Sequence, residues 1–264
     1  MLTALALGLI IGVILALTGA GGGILAVPLL VFGMPMSVAQ AGPIGLLAVG
    51  MAAALGAVLG LRQGIVRWRA ALLIAGAGML LSPLGLWLAH RIDQRALGAL
   101  FAVVLLLVAY RGWRQATRPS APASQERAQA CQRDAAAGRF IWTRSCARAL
   151  ALSGALAGLL SGLLGVGGGF VMVPALRRFS DLAMPSVVAT SLAVIALVSA
   201  TGVLASAASG GMLWAVALPF SAGALAGMLA GRVIAARLAG PQLQIGFSAV
   251  SAAVAVGMLV RSAI

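Results

Sequence analysis

The chain has 264 residues, of which 62% are hydrophobic and a further 35 are glycine, while 18 basic residues, all arginine, face only four acids for a net charge of +14. So little polar surface excludes a soluble enzyme, a secreted disulfide scaffold and a disordered chain, and it points to an all-α polytopic membrane protein. In a soluble protein such a charge would suggest nucleic acid. Here the arginines fall between apolar runs, where they hold loops to the cytoplasmic side of a bilayer, so lipid and not nucleic acid is the expected partner.

From Met1 to Leu61 there is no charge, and no basic stretch precedes the first apolar run, so a cleaved signal peptide is not expected. That run, 4–18, rises about 22 Å as a helix, and the next, 24–33, about 15 Å, against a hydrocarbon core of about 30 Å. Neither spans by itself. Joined by Gly19-Ala20-Gly21-Gly22-Gly23, they form either one broken, tilted helix or a V of two half-helices whose tip reaches the midplane. Full-length runs follow at 39–61, 70–90 and 96–110. His90 closes one of them beside Arg91 and reads as an interfacial residue. From Arg111 to Arg148 there are eight arginines with Glu126 and Asp134, broken by Pro119 and Pro122. This is a linker that cannot build a core. Its end, Phe140-Ile141-Trp142, reads either as a short interfacial helix or as part of a disordered loop. Cys131 and Cys146 are too few for a disulfide framework or a metal cluster and are expected to be free thiols on the reducing side. Apolar runs then resume at 149–164, 170–179, 186–208, 212–236 and 242–262.

The two halves repeat. A shift of 146 places Gly8, Gly12, Gly19, Gly21, Gly22, Gly23, Val27 and Pro28 on Gly154, Gly158, Gly165, Gly167, Gly168, Gly169, Val173 and Pro174, and later Gly64 and Trp68 on Gly210 and Trp214. Met34-Pro35 matches Met184-Pro185 only at a shift of 150, as expected of an insertion confined to a loop. The chain therefore divides into a first transmembrane repeat, 1–112, a basic cytoplasmic linker, 113–148, and a second transmembrane repeat, 149–264. Counting each broken pair once gives about eight hydrophobic segments. If each broken pair crosses the membrane, the repeats are parallel, with twelve arginines inside and six outside. If each returns as a V, the repeats are inverted, with fifteen inside and three outside, which obeys the positive-inside rule better and is preferred.

A helix broken at mid-membrane exposes unpaired N–H groups and the positive end of its dipole, tolerated only where they line a cavity. Two such ends brought together by the repeat would hold an anion without a charged side chain. Glycine lets the ligand approach the backbone. The candidate substrate-binding residues are thus Gly21, Gly22, Gly23, Gly167, Gly168 and Gly169, helped by Thr190, Ser191 and Gln40 in the helix that follows each V. Ser82, Ser199, Thr201 and Ser221 are weaker candidates. Against this stands the reading that the glycines serve close helix packing alone, which suits Gly8, Gly12, Gly56, Gly60, Gly64, Gly154, Gly158, Gly162, Gly223, Gly227 and Gly231 at their spacing of four. The hydroxyls have their own alternative, a bond to a carbonyl one turn back.

No carboxylate lies within a spanning segment, which disfavours a cation exporter or a carboxylate proton relay. There is no nucleophile–base pair, no zinc-ligand spacing and no phosphate loop with a lysine. No enzyme activity, metal site or cofactor is expected.

The paired stretches Gly19–Pro28 and Gly165–Pro174, with Ala189-Thr190-Ser191-Leu192-Ala193-Val194, resemble the TauE/SafE family of membrane transporters over nearly the whole chain apart from the linker. Gln40-Ala41-Gly42-Pro43 departs from the Thr-Ser usual in the first repeat of that family. The resemblance implies a multi-pass inner-membrane permease for a small sulfur-containing anion such as sulfite or a sulfonate. Alternating access is the expected mechanism. A passive anion channel and a non-transporting membrane scaffold are the alternatives.

Overall fold

The computed structural model describes residues 2–18, 22–34, 36–117, Cys131, 143–208, 210–235 and 240–263. Among them are ten helices: α1 (Leu2–Thr18), α2 (Gly22–Gly33), α3 (Val38–Arg62), α4 (Trp68–Ala89), α5 (Gln94–Thr117), α6 (Arg144–Leu164), α7 (Gly169–Phe179), α8 (Met184–Ala208), α9 (Trp214–Ala235) and α10 (Gly240–Ala263). The protein is an all-α, multi-pass membrane protein. Among the described residues, six helices (α3, α4, α5, α6, α8 and α9) are long and apolar enough to cross a bilayer. By contrast α2 and α7 rise only about 16–18 Å.

Local sequence explains where the helices start and stop. Ser37 caps α3 in a reciprocal box, its hydroxyl accepting the Gln40 N–H while the Gln40 side chain accepts the Ser37 N–H; this satisfies two donors that the first turn would otherwise leave open. Thr143 caps α6 by a single bond, its hydroxyl accepting the Cys146 N–H. Beyond α3 and α8 the chain turns at Gly64 and Gly210, both with φ near +70°. The two turns make matching bonds, Ile65 N–H to Gly60 O and Gly211 N–H to Ser206 O. Left-handed backbone costs any residue with a Cβ, which is why glycine stands at both turns.

The most extensive helix pairs are α1 with α9, α4 with α6, α5 with α10, and α3 with α8. Each half thus lays its first helix against the fourth helix of the other. The register is the same in both pairs. A Cβ on Gly8 would meet the Phe220 carbonyl and one on Gly154 the Ile74 carbonyl; Gly12 opposes Ala224 as Gly158 opposes Gly78. Backbone touches backbone there, the close approach that small residues permit when lipid supplies no hydrophobic drive between helices. Residue numbers rise together along both of these pairs, so the helices run parallel. Along α3 and α8 they run in opposite senses, Gly50 facing Ser199, Gly56 facing Leu192 and Gly60 facing Ala189.

The interior is built on α2 and α3. Every residue from Gly22 to Pro28 is buried, so α2, apolar on all sides, is enclosed by protein. Leu2, Leu80, Leu152, Leu204 and Val233 are exposed on the outer surface, as suits a lipid-facing wall. Arg69 lies over Trp68 at 5.1 Å, Arg91 over Trp87 at 4.5 Å and Arg114 over Tyr110 at 5.7 Å. Such aromatic–arginine pairs suit the level of the lipid headgroups.

The cysteines correct the expectation of free thiols. Cys131 and Cys146 form a disulfide. Cys131 is fully buried and donates its N–H to Phe179 O at 2.9 Å, forming a bridge to Ser180 at the end of α7. Two cysteines 15 positions apart gave no sign of this, because what brings them together is the return of α7 alongside α6. The Phe140–Trp142 stretch lies outside the described residues.

Candidate functional site

Each half opens with a hairpin. In the first, a Cβ on Gly22 would come to 2.5 Å from Leu15 N and one on Gly33 to 2.6 Å from Leu7 Cδ1, so α2 folds back along α1. In the second, a Cβ on Gly168 would come to 2.6 Å from Ala157 O. The bend after α6 is made by Gly165, Gly167 and Gly168, with φ of +70°, +75° and +67°.

The two glycine clusters meet. A Cβ on Gly23 would lie 2.6 Å from Val166 O and 3.2 Å from Val49 Cγ1, and one on Gly167 would lie 3.4 Å from the same Val49 atom. Val49 is near the centre of α3, and Ile195 and Ser199, near the centre of α8, each come within 3.1 Å of that Gly167 position. Gly22, Gly23, Gly167, Gly168 and Gly169 are all buried. Gly21 lies outside the described residues, as do Gly19 and Ala20.

The tips differ in how their donors are used. At the first, Thr18 Oγ1 accepts the Gly22 N–H at 3.2 Å while donating to Ile14 O. At the second, Gly168 is the N-cap of α7 and no side chain caps that terminus. The Val171 and Met172 N–H groups both turn to Gly168 O. The sequence reading passed over Thr18, whose counterpart in the second half is Leu164; a hydroxyl in the last turn before a glycine cluster was the available signal.

The three expected helpers have partners elsewhere. Gln40 is exposed and occupied in the α3 capping box. Ser191 donates to Val188 O at 2.9 Å, and Thr190 Oγ1 accepts the Arg67 N–H at 3.1 Å. None of these bonds involves a tip residue. Of the weaker candidates, Thr201 donates back to Val198 O. Ser199 is fully buried, its Oγ without a partner and against Gly167. Ser82 and Ser161 are likewise buried with unpartnered hydroxyls.

A shallow cleft, hardly roomier than a water molecule and partly open to solvent, runs between α3, α4 and α6, lined by Gly42, Pro43, Leu46, His90, Gly162 and Gly165 among others. His90, exposed at the end of α4, sits on it with its Nδ1 2.8 Å from Leu86 O. One wall of the cleft is thus the start of the second glycine bend.

The family description "Sulfite exporter TauE/SafE" matches residues 4–258. The chain belongs to the TauE/SafE family. Two relatives, each described as a "Probable membrane transporter protein", come from two strains of Xylella fastidiosa. One is 28% identical over 260 residues and the other 27% over 259, each alignment covering 97% of this chain and 93% of the relative. No solved structure matches. As a TauE/SafE member the chain is a membrane transporter.

Proposed function

We propose that this TauE/SafE protein carries a small sulfur-containing oxyanion, such as sulfite or a sulfonate, across the bacterial inner membrane by alternating access. The anion is held at the N-termini of α2 and α7, by Gly22, Gly23, Gly167, Gly168 and Gly169 with Gly21, and Thr190, Ser191 and Gln40 stand in the helices that follow. The observation that carries this reading is the start of α7: buried, left-handed glycines with no side-chain cap, at the middle of the α3–α8 pair. A helix N-terminus carries about half a positive charge, and in a low-dielectric surround an anion is its natural complement. The opposed directions of α3 and α8 support inverted repeats, and the bacterial relatives support the inner membrane. Inverted repeats favour a carrier over a pore, because the two halves can exchange which side of a shared site is open. The protein has no catalytic role in this reading.

The test is sulfite flux into proteoliposomes by wild type and Gly168→Val. Left-handed backbone costs a residue with a Cβ about 1–2 kcal/mol, and more for a β-branched side chain, and the new Cβ would press on Ala157 O. Flux is expected to be lost while membrane insertion persists. Wild-type flux by the variant would overturn the site. Conductance without saturation would indicate a channel, and neither flux nor anion-dependent stabilisation would indicate a scaffold.

A further inference from the structure

We infer that the second tip alone forms the oxyanion-binding cradle, that the Ser199 hydroxyl is its side-chain ligand, and that the cradle selects a singly charged oxyanion over a doubly charged one. This rests on the transport reading above and narrows it.

The two tips are not equivalent although their glycines are. Thr18 occupies a donor of the first tip, whereas the second has no side-chain cap. Beside that open terminus lies Ser199, fully buried on α8, its Oγ 3.1 Å from the position of a Cβ on Gly167 and without a hydrogen-bond partner. A buried hydroxyl that bonds nothing is costly, and a water or an ion at the site is one resolution; Ser82, Ser161, Ser221 and Ser251 share that state, and Ser199 is marked out by its place against the bend glycine Gly167. Gly50 on α3 and Gly167 in the bend both pack closely on Ser199, and a Cβ on Gly50 would come to 2.8 Å from Ser199 Cβ, so a side chain at that position would cover the hydroxyl. Backbone N–H groups from one side and a hydroxyl from the other give a cradle of neutral donors.

The charge preference follows from the donor set. The groups named here supply dipoles and no formal positive charge. The cost of taking an ion out of water grows as the square of its charge, while the attraction of a fixed dipole grows only in proportion to it. A monoanion with several oxygens, of the sulfonate or hydrogensulfite kind, suits this cradle; a dianion of the same size does not.

The experiment is thermal unfolding of the purified full chain in detergent with methanesulfonate, a monoanion, or sulfate, a dianion, at equal concentration and ionic strength. Wild type is expected to be stabilised by methanesulfonate and much less by sulfate. Ser199→Ala is expected to match or exceed the wild-type melting temperature without anion, because its hydroxyl bonds nothing in the protein. Its affinity for methanesulfonate should fall about tenfold or more, as for loss of a hydrogen bond to a charged group. Ser251→Ala removes another buried, unpartnered hydroxyl, on α10, and should leave the anion response unchanged. An undiminished response in Ser199→Ala, or a larger one to sulfate in wild type, overturns this inference and leaves the transport reading standing. No response of wild type to methanesulfonate, sulfite, thiosulfate or small carboxylates overturns both.

Discussion

Glycine 168 and glycine 76 show how differently one residue type is used in this chain. At Gly168 the backbone is left-handed and a Cβ would press on Ala157 O, whereas at Gly76, within α4, a Cβ would find nothing within 4 Å. Gly76→Ala should therefore raise stability by about 0.5–1 kcal/mol, the usual gain from alanine in a helix interior, read as a higher melting temperature in detergent. An unchanged or lower value would mean that a neighbour in the membrane uses that gap. Composition could not separate these two roles. The Gly-x-Gly-Gly-Gly pattern did single out the second bend, but Ser199, which stands against it, was one of several weaker candidates. Ser199 reaches Gly167 only because α8 packs against the second hairpin, whereas Thr190 and Ser191, adjacent in the sequence pattern, spend their hydroxyls on a loop N–H and on their own helix.

Between elements, the spacing of glycines by four guided well except at Gly64, which makes the turn after α3 and where a Cβ would meet nothing within 4 Å. Gly8, Gly12, Gly154 and Gly158 all lie where helices touch backbone to backbone. The partners were not legible, because small faces declare that a helix packs closely without saying against which neighbour. The exchange of α1 onto α9 and of α6 onto α4 gives a prediction that links distant parts of the chain. Gly12→Ala and Gly158→Ala occupy corresponding places and should destabilise by similar amounts, about 1–3 kcal/mol each, in thermal or denaturant unfolding. A large effect in one with none in the other would show that the two interfaces do not bear on stability alike. The disulfide was wholly illegible. Closing a loop of this length removes chain entropy worth about 3 kcal/mol. Cys131→Ser should therefore lower the melting temperature, and a reductant should lower that of the wild type to match while leaving the variant unaffected.

Over the whole molecule, composition alone established the all-helical, multi-pass class, because apolar runs in this number leave no other solution in lipid. Orientation rests on the arginines and on the opposed directions of α3 and α8. Gln63 and Gly211 stand at corresponding turns, both exposed, and inverted repeats put them on opposite faces of the membrane. In a background with both cysteines replaced by serine, a membrane-impermeant maleimide added to intact spheroplasts should label Gly211→Cys and spare Gln63→Cys until the membrane is broken. Labelling of both from one side would require parallel repeats.

One consequence of the Cys131 attachment concerns motion. Cys146 begins α6 and Phe179 ends α7, so Cys131, bonded covalently to one and through its N–H to the other, closes the open mouth of the second hairpin opposite its glycine bend. The disulfide together with that one hydrogen bond, worth about 1 kcal/mol, resists the spreading of its two arms. Under the alternating access proposed above, the hairpin would tilt against α3, α4 and α8 more readily than it opens, and reduction of the disulfide would release the restraint.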